Sequence, residues 1–433
     1  MAVSIGLFLV ISFLVGVLIW RVIDRALYNR FPDRGVPRIN IDLNGVSLEE
    51  VKSGSKETKY EGNDLQIYNN GEILEFGGVE VKGRGNGTWV QEKIPYQIKF
   101  ENKVDMFGMG KARKWYLLAN ALDGTNLRND VAFKLGRTLG MEYVLNGVFV
   151  ELYIGGEYNG LYYLTQAAEI GKNTVNLKNE LGILVELDNY YGEREEFHRT
   201  GNGDLLIIKD LVSRDNKDLA LADFLKDYNS FELAIKEKDY GKITELIDVD
   251  SFAKYFLVSE YSVNPDAYWT SFYMYKDGEE DKIHAGPIWD FDLAFGNRKW
   301  GNWIGEKFYS PTEAMVRKDE LREKEFYEER ENLSDYELSL RLSHVIFDLM
   351  DLEEFRMDVN DIFDNKMHGR KDEFLNSIYK QANGIRDLAM IDNRKWSNED
   401  YDESVAKLID WCEQRYDHFE NVYGRSEETA EDE

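Results

Sequence analysis

The sequence predicts an α+β protein, with a β-rich part at about residues 38–212 and a helical part at about 213–425. Two observations indicate this division. Strand-like runs dominate the first part, whereas apolar residues at three- and four-residue spacing dominate the second. A third observation, an uncharged apolar segment at the N-terminus, adds one transmembrane helix. Residues 31–425 are therefore predicted to form one domain behind an anchor, followed by an acidic tail at 426–433.

The N-terminal segment, residues 1–30, is predicted to be a membrane anchor and its flank. Residues 3–20 are uncharged and almost wholly apolar, and at about 1.5 Å per residue they nearly span a bilayer core of about 30 Å. A cleaved signal peptide is the main alternative, but the basic start and the small-residue cleavage site that it needs are missing. The arginine-rich flank predicts a cytoplasmic domain. The opposite orientation, usual for a surface enzyme, stays open.

Strands are predicted wherever alternating or apolar runs are separated by glycine and asparagine turns. One helix interrupts them at residues 126–139, and Gly140 is a natural end for it. The predicted strands cover residues 38–43, 79–82, 96–100, 114–118, 148–154, 182–188 and 204–209.

The second part is predicted to be helical at residues 218–233, 251–263 and most of 311–423. A hairpin-like segment lies between the second and third of these, with strands at 271–275 and 289–292. The second strand would carry Asp290 and Asp292 on one face, because side chains alternate along a strand.

The composition limits the classes of function. The chain has 433 residues and a net charge of −28, which argues against nucleic-acid binding and is compatible with basic protein partners. Solubility alone also explains such acidity. The only cysteine, Cys412, excludes an intrachain disulfide and a cysteine metal cluster.

The acidic residues of the second part form the strongest candidate site. Asp290 and Asp292 lie in an apolar run, and Asn264 and Asp266 precede them. Carboxylates in apolar surroundings need a partner or a cation, and oxygen ligands suit hard divalent cations such as Mg²⁺. In a phosphotransferase, such a set binds the cations that bridge the phosphates and orients the acceptor hydroxyl. Capping of a turn is the alternative interpretation.

Basic residues of the first part are candidate phosphate ligands. Arg84 lies in a glycine-rich turn at residues 82–89, where backbone amides can approach an anion closely. A tight β-turn is the alternative. Lys99 lies on one face of a strand, where a lysine can neutralise phosphates as in kinases, but taken alone the residue reads better as an ordinary solvated lysine. Arg128, at a helix start, is either a phosphate clamp or the partner of an acidic residue.

Two strand ends supply further candidates. Glu186 and Asp188 share a strand face, and Glu186 is a candidate to orient Lys99 through an ion pair. An edge-strand charge is the alternative for Glu186. Lys209 and Asp210, at the end of the next strand, are weaker candidates.

Taken together, these motifs resemble the CotH kinase family, the spore coat protein H group of atypical kinases. The resemblance runs in order from about residue 38 to 300 and is looser in the helical part. The segments that carry it are 82–89 (KGRGNGTW), 95–99 (PYQIK), 115–120 (WYLLAN), 127–129 (LRN), 155–165 (GGEYNGLYYLT), 186–188 (ELD), 264–266 (NPD) and 287–292 (PIWDFD).

The resemblance implies a divergent protein-kinase-like fold that uses ATP with Mg²⁺ or Mn²⁺ to phosphorylate serine or threonine in proteins. It implies phosphate binding by Arg84 and Lys99, an acceptor-side or metal-side role for Asp266, and metal binding by Asp290, with Asp292 the second choice. Two departures, Pro265 between Asn264 and Asp266 and Gly87 in place of a common serine, remove no reactive group.

The sequence thus predicts a membrane-anchored atypical protein kinase with nucleotide contacts from Arg84, Lys99, Arg128 and Glu186. Envelope or coat proteins, basic and rich in serine, are the expected substrates. Two alternatives stay open. One is a non-catalytic surface protein for adhesion or structure on the same scaffold. The other is a kinase-like enzyme that transfers a group other than phosphate.

Overall fold

The computed structural model describes residues 31–85, 87–188, 196–264, 266–267, 270–297 and 345–424. The predicted anchor at residues 3–20 and the acidic tail lie outside this part of the chain. Within the described ranges, no helix combines the length and the apolar character that crossing a bilayer requires.

The first part of the chain is a closed barrel of seven strands, in the order β1-β2-β3-β4-β5-β7-β6. Neighbouring strands are antiparallel except at the closure, where β1 and β6 run parallel. The strands are β1 (Arg38–Asp42), β2 (Lys59–Asn69), β3 (Glu72–Gly83), β4 (Tyr96–Asp105), β5 (Lys111–Leu118), β6 (Gly147–Ile154) and β7 (Glu157–Gln166).

Alternation along the strands divides the barrel wall into two faces. Ile98 of β4 and Leu117 of β5 point into an apolar interior and are fully buried. Their neighbours Gln97, Lys99 and Tyr116 therefore lie on the outer face. This outer face forms one wall of the candidate site.

A second, five-stranded antiparallel sheet has the order β12-β11-β8-β10-β9. Its central strand β8 is buried along its whole length, which explains why the sequence there is almost wholly apolar. The strands are β8 (Gly182–Leu187), β9 (Phe197–Arg199), β10 (Leu205–Leu211), β11 (Phe272–Asp277) and β12 (His284–Ala285).

Helices pack on this sheet and form a second, larger apolar core with it. The first long helix ends at Gly140 in the left-handed conformation, with φ +74°, as the sequence predicts. The helices are α1 (Leu48–Ser53), α2 (Arg128–Leu139), α3 (Lys217–Glu237), α4 (Tyr240–Leu246), α5 (Val249–Ser262), α6 (Val345–Met350), α7 (Glu353–Lys366), α8 (Lys371–Trp396) and α9 (Tyr401–Tyr423).

The α+β class with a β-rich first part and a helical second part is confirmed, but one predicted strand is wrong. Residues 286–297 form turns and irregular backbone, and Asp290 has φ +66°. Apolar residues of this segment, such as Ile288 and Phe291, are buried in the helical core without strand pairing. The apolar pattern reflects burial and not membership of a sheet. Asp290 and Asp292 therefore do not share the face of a strand.

Helix α8 contacts the barrel through a buried ion pair and a hydrogen bond. Lys93, between β3 and β4, forms a buried ion pair with Asp392 at 2.7 Å. Near the end of the same helix, the Trp396 indole donates a hydrogen bond to the Asn159 carbonyl of β7 at 2.9 Å. These contacts fix the position of the barrel relative to the helices.

Candidate active site

The candidate site begins where α5 ends. Val263 takes the left-handed conformation after this helix, which turns the chain toward Asn264. The Asn264 side chain donates to the Asp290 carbonyl oxygen at 2.9 Å and accepts from the Asp266 backbone amide at 3.2 Å. Asn264 therefore joins the two acidic segments that the sequence separates by more than twenty residues.

Asp290 and Asp292 meet despite the absence of a strand. The Asp290 side chain is exposed, and that of Asp292 is buried. Burial raises the pKa of Asp292 well above its usual range, and the charge of Asp290 and a hydrogen bond to it raise the pKa further. Asp266 and Asp123 act in the same direction. The four carboxyl groups are close enough to influence one another.

This donor set fits a hard divalent cation. Two carboxyl groups in hydrogen-bond contact, one of them buried, are stabilised either by a shared proton or by a cation. Among the described residues, no group of three or more histidine, cysteine, aspartate or glutamate side chains is arranged to hold a metal ion. Asp290 and Asp292 would supply carboxylate oxygens to such a cation, whereas the Asn264 side chain is engaged by backbone groups.

The start of α2 holds the acidic segment from the other side. Arg128 is buried, pairs with Asp123, and donates from Nε to the Ala294 carbonyl at 3.0 Å. The Asn129 side chain accepts from the Phe291 amide at 2.9 Å. Arg128 thus has the acidic partner that the sequence left open as an alternative, and its phosphate contact stays a prediction.

Arg84 connects the glycine-rich turn to the acidic segment. Its guanidinium carbon lies 4.0 Å from the centroid of the Tyr116 ring and 5.3 Å from that of Trp289, distances at which a cation is attracted to an aromatic face. Because Trp289 precedes Asp290, the basic turn lies beside the acidic segment.

The structure gives Lys99 and Glu186 different partners. Lys99 Nζ lies 3.8 Å from Glu80 on the outer face of the barrel, whereas Glu186 pairs with Lys209 at 2.5 Å. The suggested ion pair between Glu186 and Lys99 is therefore wrong, because the β8–β10 pairing brings Lys209 closer. Asp188 accepts a hydrogen bond from Thr270 at 2.7 Å, beside the Asp266 segment.

The structure thus brings most of the predicted residues together. Asn264, Asp266, Asp290 and Asp292 form the acidic side, with Arg128 supporting it and Arg84 opposite. Sequence reasoning gave no site role to Trp289, Tyr116 or Asp123. The first two lie inside the family segments, whereas Asp123 had no signal beyond its place in a turn.

Comparisons with known proteins place the chain in a family. Residues 80–419 match the family described as CotH kinase protein. No curated protein matches the chain. Among solved structures, the chain is similar to the Helicobacter pylori proinflammatory kinase CtkA, with 12% identity, 75% of this chain and 94% of that chain covered, and a TM-score of 0.25. A TM-score this low does not show that the two chains share a fold. The family match spans well over half of the sequence, and the chain belongs to the CotH kinase protein family.

Proposed function

We propose that this chain is a membrane-anchored, ATP-dependent protein kinase that transfers the γ-phosphate to serine or threonine of protein substrates. One observation carries the proposal. A basic turn and an acidic segment, distant in sequence, lie side by side: the Arg84 guanidinium carbon is 5.3 Å from the centroid of the Trp289 ring, and Trp289 precedes Asp290. Phosphoryl transfer needs this combination, because positive charge must bind the phosphates while carboxylates hold cations and orient the acceptor.

The acidic residues receive distinct roles in this proposal. Asp266, at the surface end of the segment that Asn264 fixes, is the acceptor-side or metal-side carboxylate. Asp290 and Asp292 hold Mg²⁺ or Mn²⁺, which supplies charge neutralisation for the phosphates when it is bound. The raised pKa of Asp292 supports this assignment, because a cation relieves the repulsion between the two carboxylates.

The basic residues receive binding roles. The Arg84 guanidinium packs against the rings of Tyr116 and Trp289 beside the acidic segment, and a planar donor of this kind can contact two phosphate oxygens. The sequence also predicts nucleotide contacts from Lys99, Arg128 and Glu186, but Arg128 pairs with Asp123 and Glu186 pairs with Lys209. Lys99 lies on the outer barrel wall, two residues from Gln97, which pairs in register with Tyr116.

The substrate and the location follow from charge and hydropathy. With a net charge of −28, the enzyme is expected to attract basic, serine-rich proteins such as envelope or coat components. The apolar segment at residues 3–20 is expected to hold it at a membrane by a single pass. The side of the membrane is left open.

Intact-mass analysis tests the proposed activity. The full-length protein is incubated with ATP, Mg²⁺ or Mn²⁺, and a basic serine-rich test protein. Asp290→Ala is the loss variant. Asp387→Ala is the matched control, because the Asp387 side chain is 92% exposed on α8. We expect the parent and the control to add phosphate, and Asp290→Ala to add none.

The outcomes separate the alternatives. A mass increase equal to one AMP or one amino acid would replace phosphate transfer with another group transfer. No added mass from any variant, together with no ATP binding, would favour a non-catalytic scaffold. Equal phosphate addition by the parent and Asp290→Ala would remove Asp290 from the site.

A further inference from the structure

Strand β10 carries an irregularity at Lys209. Ile208 pairs with Val185 of β8, but Asp210 pairs with Leu184, so two steps along β10 match one step along β8. Lys209 is the extra residue of this β-bulge. A bulge redirects the side chain that it contains, and bulges are frequent beside active sites.

The redirected side chain reaches the buried centre of the second sheet. Lys209 Nζ lies 2.5 Å from Glu186 Oε2, and the two side chains are 29% and 8% exposed. Glu186 lies between Ile207 of β10 and Tyr273 of β11 in the register of the sheet. The glutamate is therefore fixed by its position on the central strand, and the lysine keeps a route to solvent.

The pair lies close to the acidic segment, because Asp188, two residues after Glu186, accepts a hydrogen bond from the Thr270 hydroxyl at 2.7 Å, and the Thr270 amide donates to the Asp266 carbonyl at 2.9 Å. Lys209 Nζ lies 5.8 Å from the centroid of the Tyr273 ring. Burial raises the pKa of the Tyr273 hydroxyl, Glu186 raises it further, and Lys209 and Arg84 oppose this shift. The Tyr273 hydroxyl thus lies within the electrostatic influence of both cations. Lys209 also lines an open depression of about 480 Å³ together with basic residues such as Arg214 and Lys217.

Lys99 differs from Lys209 in each of these respects. Its side chain is 44% exposed, and its nearest carboxylate, Glu80 of the neighbouring barrel strand, is 3.8 Å away. A solvated lysine with a loose partner is held less firmly than a lysine in close contact with a buried carboxylate. Preorganised cations bind phosphate better, because less side-chain entropy is lost.

We propose that Lys209, oriented by Glu186, is the lysine that binds the phosphates of the nucleotide beside the acidic segment. This inference rests on the proposed kinase function and deepens it. Glu186 then acts as a positioning residue, because it contacts the lysine and not the nucleotide. Arg84 supplies the second cation from the glycine-rich turn.

Isothermal titration of the full-length protein with ATP and with adenosine, in the presence of Mg²⁺, tests the inference. Lys209→Met is expected to weaken ATP binding by about 10- to 100-fold, the effect of losing a charge-assisted hydrogen bond. Adenosine, which carries no phosphate, is expected to bind with unchanged affinity. Lys209→Arg keeps the charge and is expected to retain most of the ATP affinity.

Two further variants serve as comparisons. Lys99→Met tests the rival lysine and is expected to change ATP affinity by less than about 3-fold, as for a weak exposed ion pair. Lys407→Met is the matched control, because this lysine is 72% exposed and pairs with Glu403 on α9. Lys209→Met removes the ammonium group that pairs with Glu186. The double variant Lys209→Met/Glu186→Gln is therefore included, and its unfolding temperature is measured.

The outcomes distinguish this inference from the proposed function. If the parent binds ATP and Lys209→Met binds it equally well, or if Lys99→Met causes the larger loss, the inference is wrong and the kinase proposal stands. If Lys209→Met weakens adenosine and ATP equally, the lysine has a structural role only. If the parent binds neither ATP nor adenosine, the proposed function fails and the inference fails with it.

Discussion

The buried ion pair between Lys93 and Asp392 provides a quantitative prediction about how the barrel is held on the helices. The Lys93 ammonium contacts Asp392 at 2.7 Å and donates to the Leu161 carbonyl at 2.6 Å. The other Asp392 oxygen accepts from the Leu161 amide at 2.8 Å. The two charged side chains are only 1% and 4% exposed, so neither charge has water as an alternative partner.

We expect Asp392→Asn to destabilise the protein by about 3–5 kcal/mol, because it leaves a buried ammonium without a counter-charge. With about 2.1 cal/mol/K of unfolding entropy per residue, a 4 kcal/mol loss lowers the unfolding temperature of a chain of this size by about 4 °C. Lys93→Met/Asp392→Asn removes both charges, keeps an oxygen acceptor for the Leu161 amide, and is expected to recover more than half of the loss.

Thermal unfolding followed by circular dichroism measures these shifts on the full-length protein. Arg386→Gln is the control, since its ion pair with Asp402 lies on the surface and is worth at most about 1 kcal/mol. An Asp392→Asn protein as stable as the parent would show that the pair is not buried in solution. A double variant less stable than Asp392→Asn would refute the reasoning about the unpaired charge.

Three further predictions concern buried charges. Arg415→Leu should lower the unfolding temperature by about 2–3 °C in circular dichroism. The buried guanidinium donates to the Glu260 carbonyl at 2.8 Å, and a charged hydrogen bond of this kind is worth about 2–3 kcal/mol. An unchanged unfolding temperature would contradict this. Burial raises the folded-state pKa of Glu232 from 4.5, and the charge of Asp204 raises this pKa further. The native state therefore keeps a proton that the unfolded chain loses. The free energy of unfolding should fall as the pH rises from about 4.5 through the raised pKa. Glu232→Gln should flatten that fall in urea titrations at several pH values, and a persisting slope would exclude Glu232 as its source. In the presence of a chelator, Asp292→Asn should raise the unfolding temperature, because it removes a buried charge beside Asp290. The variant should also lose the stabilisation that Mn²⁺ gives the parent. Equal stabilisation of both proteins by Mn²⁺ would argue against Asp292 as a ligand.

Local pattern predicted most of the secondary structure. The helix before Gly140, the barrel strands β4 to β6 and the central strand β8 follow from runs whose burial agrees with their periodicity. The irregular backbone around Asp290 could not be predicted in this way, because a buried irregular segment has the same apolar composition as a buried strand. Only tertiary packing distinguishes the two.

The candidate site was predictable in its residue types and less so in its pairings. Asn264 and the acidic residues stood out as polar groups in apolar surroundings, and the structure brings them together. The pairing of Glu186 with Lys209 depends on a β-bulge and on strand register, which a single sequence does not encode locally. The contact between Lys93 and Asp392 joins residues 299 positions apart, beyond the reach of any local pattern.

The central claim is that the basic turn and the acidic segment form one phosphoryl-transfer site, and a transfer rate tests it most directly. The measurement is the initial rate of phosphate addition to a serine-containing test protein by the full-length enzyme with ATP and Mn²⁺. Arg84→Met and Asp290→Ala are each expected to lower this rate by about 100-fold or more, with Asp387→Ala unchanged. Transfer by Asp290→Ala at the rate of the parent, or no transfer by the parent, would contradict the account.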